Sequence, residues 1–264
     1  MKAKRFFGLV TLLAIGATSA SFGQGMFGAR SKDPGQQLAK FFGKNTAFTA
    51  TAHVTMADSA GKQLHGMEFQ YAMLDGKVRT EMDMTKVQGV KVPPEAMGQM
   101  KQMGVDRMVH IFLPDKKVAY MLYPSMKAYC EMNSSQLTGE KESKTPKIEE
   151  TELGKETIDG HPCVKSKIVV TEEDGHNFEA LVWKATDLKD FPIQTQMTNE
   201  DQTTTTKFTD INRSKPSASL FEPPSDFKRY ASIQELMMSS MQQMMPPGGM
   251  PSRGGMPPRG ADSE

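Results

Sequence analysis

The chain has 264 residues, a formal net charge of +1, 38% hydrophobic and 24% charged residues. That is enough apolar residue to bury a core, and too balanced a charge for a nucleic-acid binder. Its 2 cysteines exclude a disulfide-scaffolded miniprotein and a multi-cysteine zinc module, while methionine is abundant, 22 residues against 14 Phe.

Lys2, Lys4 and Arg5 precede an apolar run from Phe6 to Ala17, and the small residues Thr18, Ser19, Ala20, Ser21 and Gly23 follow it. Residues 1–23 therefore read as a cleavable signal peptide, its apolar run too short to span a bilayer. No cysteine lies near the cut to carry a lipid anchor, so the expected location is periplasmic or secreted.

Pro34 opens a short helical pattern, with Leu38, Phe41 and Phe42 on one face and Gly43 ending it. Period-two alternation then takes over. Phe48, Ala50, Ala52, Val54 and Met56 share one side; Met67, Phe69, Tyr71 and Met73 continue it, followed by Val78, Thr80, Met82 and Met84. Asp75-Gly76 reads as a two-residue hairpin turn, and Glu68, Gln70, Arg79, Glu81 and Asp83 form the polar face. Residues 93–104 read as a short helix carrying Met97, Met100 and Met103. Strands are expected at 107–113, 118–123 and 127–132, with Pro114-Asp115 and Pro124-Ser125 turns between them.

A polar stretch over 133–147 reads as an exposed loop. Five more strands are expected near 148–156, 163–171, 178–184, 191–198 and 203–212, with Asp159-Gly160 and Asp174-Gly175 as turns. Residues 231–245 read as a Met-rich helix stopped by Pro246-Pro247, and 246–264, with a Gly-Gly-Met-Pro repeat, as a disordered tail. The expected architecture of 34–230 is thus mainly β: one curved antiparallel sheet of about eleven strands, an incomplete barrel with short helices plugging its concave side.

No nucleophile elbow, zinc-protease motif, phosphate loop or dinucleotide fingerprint is present, and the five histidines are scattered without metal-ligand spacing. The reading is of a non-enzyme without a cofactor. Phe69, Tyr71, Met73, Met82, Met84, Phe112, Tyr120 and Leu122 are the side chains expected on the concave side, as the lining for a lipid, acyl chain or other hydrophobic ligand. The strands over 106–123 are apolar on both faces, which leaves their inward set open. The helices at 34–43 and 94–103 are candidates for a lid. Cys130 and Cys163 are a candidate disulfide in an exported chain, two buried thiols being the other reading. An alternative function rests on Met237, Met238, Met241, Met244 and Met245, whose thioethers suit Cu(I) and whose flexibility suits an interaction surface.

Two segments carry a family resemblance. Gly160-His161-Pro162-Cys163-Val164 leads to a strand ending at Trp183, an acidic crossover (Asp187, Asp190) and a Phe191-Pro192 strand start; Leu220-Phe221 and Pro223-Pro224 come later. In order and spacing these resemble the outer-membrane lipoprotein carrier superfamily (LolA, LolB and LppX types), in an uncharacterised exported branch carrying a domain of unknown function. The resemblance spans roughly 34–230. It implies an incomplete eleven-stranded antiparallel barrel, helices at its mouth and a cavity for lipid or acyl chains. Such carriers place an arginine near the cavity; no motif aligns one here, and Arg79 is the candidate. The expected partners are a lipid or hydrophobic small molecule and, through the Met-rich helix, an envelope protein or membrane surface.

Overall fold

The structure is a computed structural model that describes residues 42–89, 92–133, 147–171, 177–199 and 202–244. The leader, the 34–41 part of the first helix, the Asp174-Gly175 turn, the bulk of the polar loop, Met245 and the repeat tail lie outside the described residues.

Alternation becomes strands wherever it was read. They are β1 (Ala47–Asp58), β2 (Gln63–Leu74), β3 (Lys77–Asp83), β4 (Arg107–Leu113), β5 (Val118–Tyr123) and β6 (Ala128–Asn133) in the first half. The second half contributes β7 (Lys147–Ile158), β8 (His161–Thr171), β9 (Asn177–Ala185), β10 (Phe191–Asn199), β11 (Gln202–Asn212) and β12 (Lys228–Tyr230). All twelve belong to one curved sheet that does not close, in the order β12-β6-β5-β4-β3-β2-β1-β11-β10-β9-β8-β7. The count exceeds the expected eleven by β12, which pairs parallel to β6 and so departs from the all-antiparallel expectation.

Turn chemistry explains the short connections. Asp75 and Gly76 have φ of 49° and 86°, and Asp159 and Gly160 have 48° and 83°. Positive φ at both central residues matches the right-handed twist of the flanking strands, and Asp-Gly tolerates it best. The two Pro-led turns share another solution: a 3-10 turn from Pro114 or Pro124, ended by a left-handed Lys117 or Lys127.

Among the described residues two longer helices accompany the sheet. The first, α1 (Pro94–Gln102), bridges β3 and β4 with none of its residues buried, so its methionines stay at the surface or half-covered. The second, α2 (Ile233–Met244), starts with reciprocal caps: Ser232 Oγ accepts from Glu235 N–H at 3.1 Å, and the Glu235 carboxylate accepts from Ala231 N–H at 2.8 Å. Its Leu236 is fully buried against Tyr123, Cys130 and Tyr230. Among the described residues no helix is long and apolar enough to cross a membrane.

Because β11 sits mid-sheet and β12 at its edge, residues 213–227 must pass across the sheet. They do so on the outer face. Phe221, in a 3-10 turn capped by Ser217, is buried there among Leu74, Val109, Ile111, Leu113 and Leu122, with Phe227 packed alongside. This is the job of the late Leu-Phe-x-x-Pro segment.

At the other edge, β7 is exposed almost throughout and carries four glutamates within Lys147–Ile158. Charges on a free edge discourage pairing with another chain. Two of the glutamates also reach inward along the sheet: Glu150 to Lys184 at 2.7 Å and Glu156 to the Trp183 indole N–H at 2.8 Å.

Candidate ligand-binding face

Cross-strand partners in a sheet project to the same side, so register defines the inner face. Tyr71 pairs with Thr80, Thr80 with His110, His110 with Met121 and Met121 with Cys130. A flanking row runs Met73, Val78, Phe112, Ala119, and another runs Phe69, Met82, Met108. The structure therefore brings Phe69, Tyr71, Met73, Met82 and Phe112 together on one side. Met84 leaves β3 at the 3-10 turn after Asp83 but still packs on the Val54, Met67 and Met82 cluster.

Tyr120 and Leu122 are corrected. They pair with Ile111 and Val109, in rows that also hold Arg79 and Glu81, and pack with Phe221 on the outer face. The run Val118–Tyr123 is apolar on both sides, so period two alone gives no direction. The inward residues of β5 are Ala119, Met121 and Tyr123. Arg79 is likewise outside, its guanidinium 3.1 Å from Glu81 and donating to the Leu220 carbonyl at 3.2 Å.

A cluster of five rings identifies this side as concave. Phe48 on β1 and Phe191 on β10 have centroids 4.8 Å apart, and Tyr71 on β2 and Phe208 on β11 are 5.9 Å apart. Each pair belongs to strands separated by a third, about 9.5 Å in a flat sheet, so the side chains converge. Phe42 fills the middle, touching all four. A bulge helps: Asp210, at φ 51°, is the extra residue between the Thr51–Thr209 and Thr49–Asn212 pairs, and it swings Ile211 inward onto this cluster.

Coverage of the inner face is uneven. The ring cluster closes the β1–β2–β10–β11 part, and α2 covers the β5–β6–β12 end. Between them Phe69, Thr80, Met108, His110 and Met121 are only half-buried. The inward positions over Phe48–Met56, Met67–Met73, Val78–Met82, Met108–Phe112 and Ala119–Tyr123 hold no carboxylate, lysine or arginine. His110 follows the environment: burial pushes its imidazole down to about 4, so it is neutral at physiological pH. Burial likewise pushes the Tyr71 phenol far up, and the Tyr123 phenol up to about 12. Thr80 falls on the side the alternation already gave but outside the expected lining, while His110 was missed as a face residue; its signal was present, since His110 stands two residues before Phe112 and shares its parity.

The candidate disulfide is also corrected. Cys130 and Cys163 are free and buried, on β6 and β8, which are each second from opposite ends of the open sheet. Burial, with Glu235 nearby, pushes the Cys130 thiol up to about 11; Cys163 is raised chiefly by burial and donates to the His161 carbonyl at 3.3 Å. Both are therefore protonated and poor nucleophiles at neutral pH. A thiol reagent is expected to titrate two groups after denaturation and to react slowly with the native chain; rapid native labelling would contradict this placement.

The other half of the resemblance turns out to be a clamp. His161 Nδ1 lies 2.7 Å from Asp187, Thr186 Oγ1 donates to the Pro162 carbonyl at 3.0 Å, and Cys163 pairs with Ala185. Those residues tie the start of β8 to the end of β9. On α2, Met237 packs into the Leu236 cluster while Met238 is 55% exposed. The two sulfurs thus serve different surroundings, and the copper reading through this helix finds no support; the side chains of Met241 and Met244 and all of Met245 lie outside the described residues. Among the described residues no three His, Cys, Asp or Glu side chains gather as metal ligands.

The profile of the family described as "Domain of unknown function (DUF4412)" matches residues 51–191, from β1 to the start of β10. The chain belongs to the DUF4412 family. The match spans the inner-face strands β2–β6 and the β8–β9 clamp. No curated protein matches the chain. Among solved structures it is similar to the lipoprotein LppX of Mycobacterium tuberculosis, at 10% identity over 61% of this chain and 86% of that one, with a TM-score of 0.33. It is similar to LprF of Mycobacterium bovis at 10% identity, over 73% and 97% of the two chains, TM-score 0.34. A LolA superfamily protein of Nitrosomonas europaea is similar at 7% identity, over 71% and 94%, TM-score 0.27.

Proposed function

We propose that this DUF4412 chain is a non-enzymatic binding or carrier protein that holds a lipid, acyl chain or other hydrophobic molecule against its inner face in the cell envelope. The observation that carries this reading is the uncharged, half-covered stretch around Phe69, Met108 and Met121. Burying about six methylenes there is worth ~5 kcal/mol, at ~0.8 kcal/mol each. Flexible methionine side chains adapt to chains of different shape. The Lys2–Gly23 leader supports export, and the carrier resemblance of 34–230 supports a lipid as the cargo.

Native mass spectrometry of the full chain, mixed separately with dioleoylglycerol, phosphatidylethanolamine and palmitate, tests the proposal. A bound complex with at least one of them is expected. No adduct with any of the three, and no lipid carried through purification, would overturn the reading.

A further inference from the structure

Three polar groups stand on the inner face in one cross-strand row: the Tyr71 hydroxyl, the Thr80 hydroxyl and the His110 imidazole. The Tyr71 hydroxyl is buried with no hydrogen-bond partner, on a residue 2% exposed. His110 makes no side-chain hydrogen bond to any described residue. A core built only for packing has phenylalanine and leucine at such positions, because an unsatisfied buried donor opposes folding. The ring of Tyr71 is held rigidly, stacked on Phe48 at 5.6 Å and 10° and edge-on to Phe208, so its hydroxyl is fixed rather than free to seek another acceptor.

We infer that this row is a hydrogen-bonding seat for an uncharged carbonyl group of an acyl ligand, of the ester class rather than a free carboxylate. The inference rests on the binding role proposed above and specifies its ligand. Tyrosine and threonine offer O–H donors, and a neutral imidazole offers one N–H donor and one acceptor. Successive members of the row are about 4.8 Å apart at the backbone, a spacing that one ester group and its neighbour can span. A carboxylate or phosphate at the same place would lack a counter-charge, because the inward positions of β1–β5 named above carry no lysine or arginine. An ester carbonyl accepts the same hydrogen bonds without that cost.

The test compares methyl palmitate with palmitate at neutral pH, by calorimetric titration of the full chain, in the native sequence and in Tyr71→Phe and His110→Leu. The ester is expected to bind about ten-fold more tightly than the carboxylate. Each substitution is expected to weaken ester binding about five-fold, to leave palmitate affinity nearly unchanged, and to keep or raise the ligand-free melting temperature. If neither lipid binds the native chain, the binding role itself fails and this inference with it. If both bind equally, and both variants bind the ester like the native chain, the binding role stands and the ester seat is overturned. Two variants on separate strands guard against one substitution disturbing the fold, which the ligand-free melting temperature would reveal.

Discussion

Replacing Phe48 with alanine is expected to remove about 3–5 kcal/mol of folding stability, a large loss for a single core truncation. Phe48 is fully buried and sits against Phe42 at 4.7 Å, Tyr71 at 5.6 Å and Phe191 at 4.8 Å. Those contacts join β1 to β2 and β10, so the ring ties the first-half strands to the second-half strands across the mid-sheet seam. The void left in the variant cannot be refilled by rotation, because its neighbours are themselves rings held at fixed angles. A domain of this size loses about 2–4 °C per kcal/mol, so the melting temperature should fall by about 10 °C. Calorimetry checks this; a fall no larger than that of Leu153→Ala, at a 52% exposed position on β7, would contradict the central place given to the ring.

Acid is expected to weaken the fold between pH 6.5 and about 4, through His110. Its imidazole titrates near 6.5 when unfolded and near 4 in the folded chain, where burial disfavours the charged form. In that window the unfolded chain binds the extra proton, so stability rises with pH there, is fully present above 6.5, and levels off below about 4. The expected loss is about 2–3 kcal/mol, at ~1.4 kcal/mol per pH unit and reduced for the half-buried side of the ring. Its cross-strand neighbours Thr80 and Met121 do not titrate, and Tyr71 and Cys130 are raised further above neutrality, so none of them moves in this window. Glu150 and Glu156 are lowered from 4.5 by their lysine partners and, for Glu156, by the Trp183 N–H, and lose their contribution only at still lower pH. Urea unfolding of the native chain and of His110→Leu at pH 7.5 and pH 4.5 separates the terms. The variant should be less acid-sensitive by about 2 kcal/mol; equal sensitivity would assign the loss to the carboxylates.

How far each feature could be read in advance follows from the physics of its signal. Strand positions were legible because alternation and turn chemistry are local: Asp75-Gly76 and Asp159-Gly160 both adopt the positive φ that their residue types favour. The inward set of β2 and β3 was legible for the same reason, since one of their faces is polar. On β4 and β5 both faces are apolar, and only pairing with β3 fixes Tyr120 and Leu122 on the outside and His110 within. The strand-order jump from β11 to β12, which sends Phe221 across the outer face, has no local signature either. Nor has the distance between Cys130 and Cys163, which depends on where β6 and β8 fall in the sheet.

The amino-acid order by itself determined that this chain is a β-rich protein with a one-sided apolar pattern, joined by specific turns and lacking any recognised catalytic motif. Those properties are written in neighbours a few residues apart, where backbone preference and hydrophobic period act. The tertiary structure alone decided which side of the two-faced strands looks inward, that the two thiols never meet, and that a tyrosine, a threonine and a histidine share one row. Register couples residues tens of positions apart, and it is set by the summed packing of twelve strands rather than by any one of them.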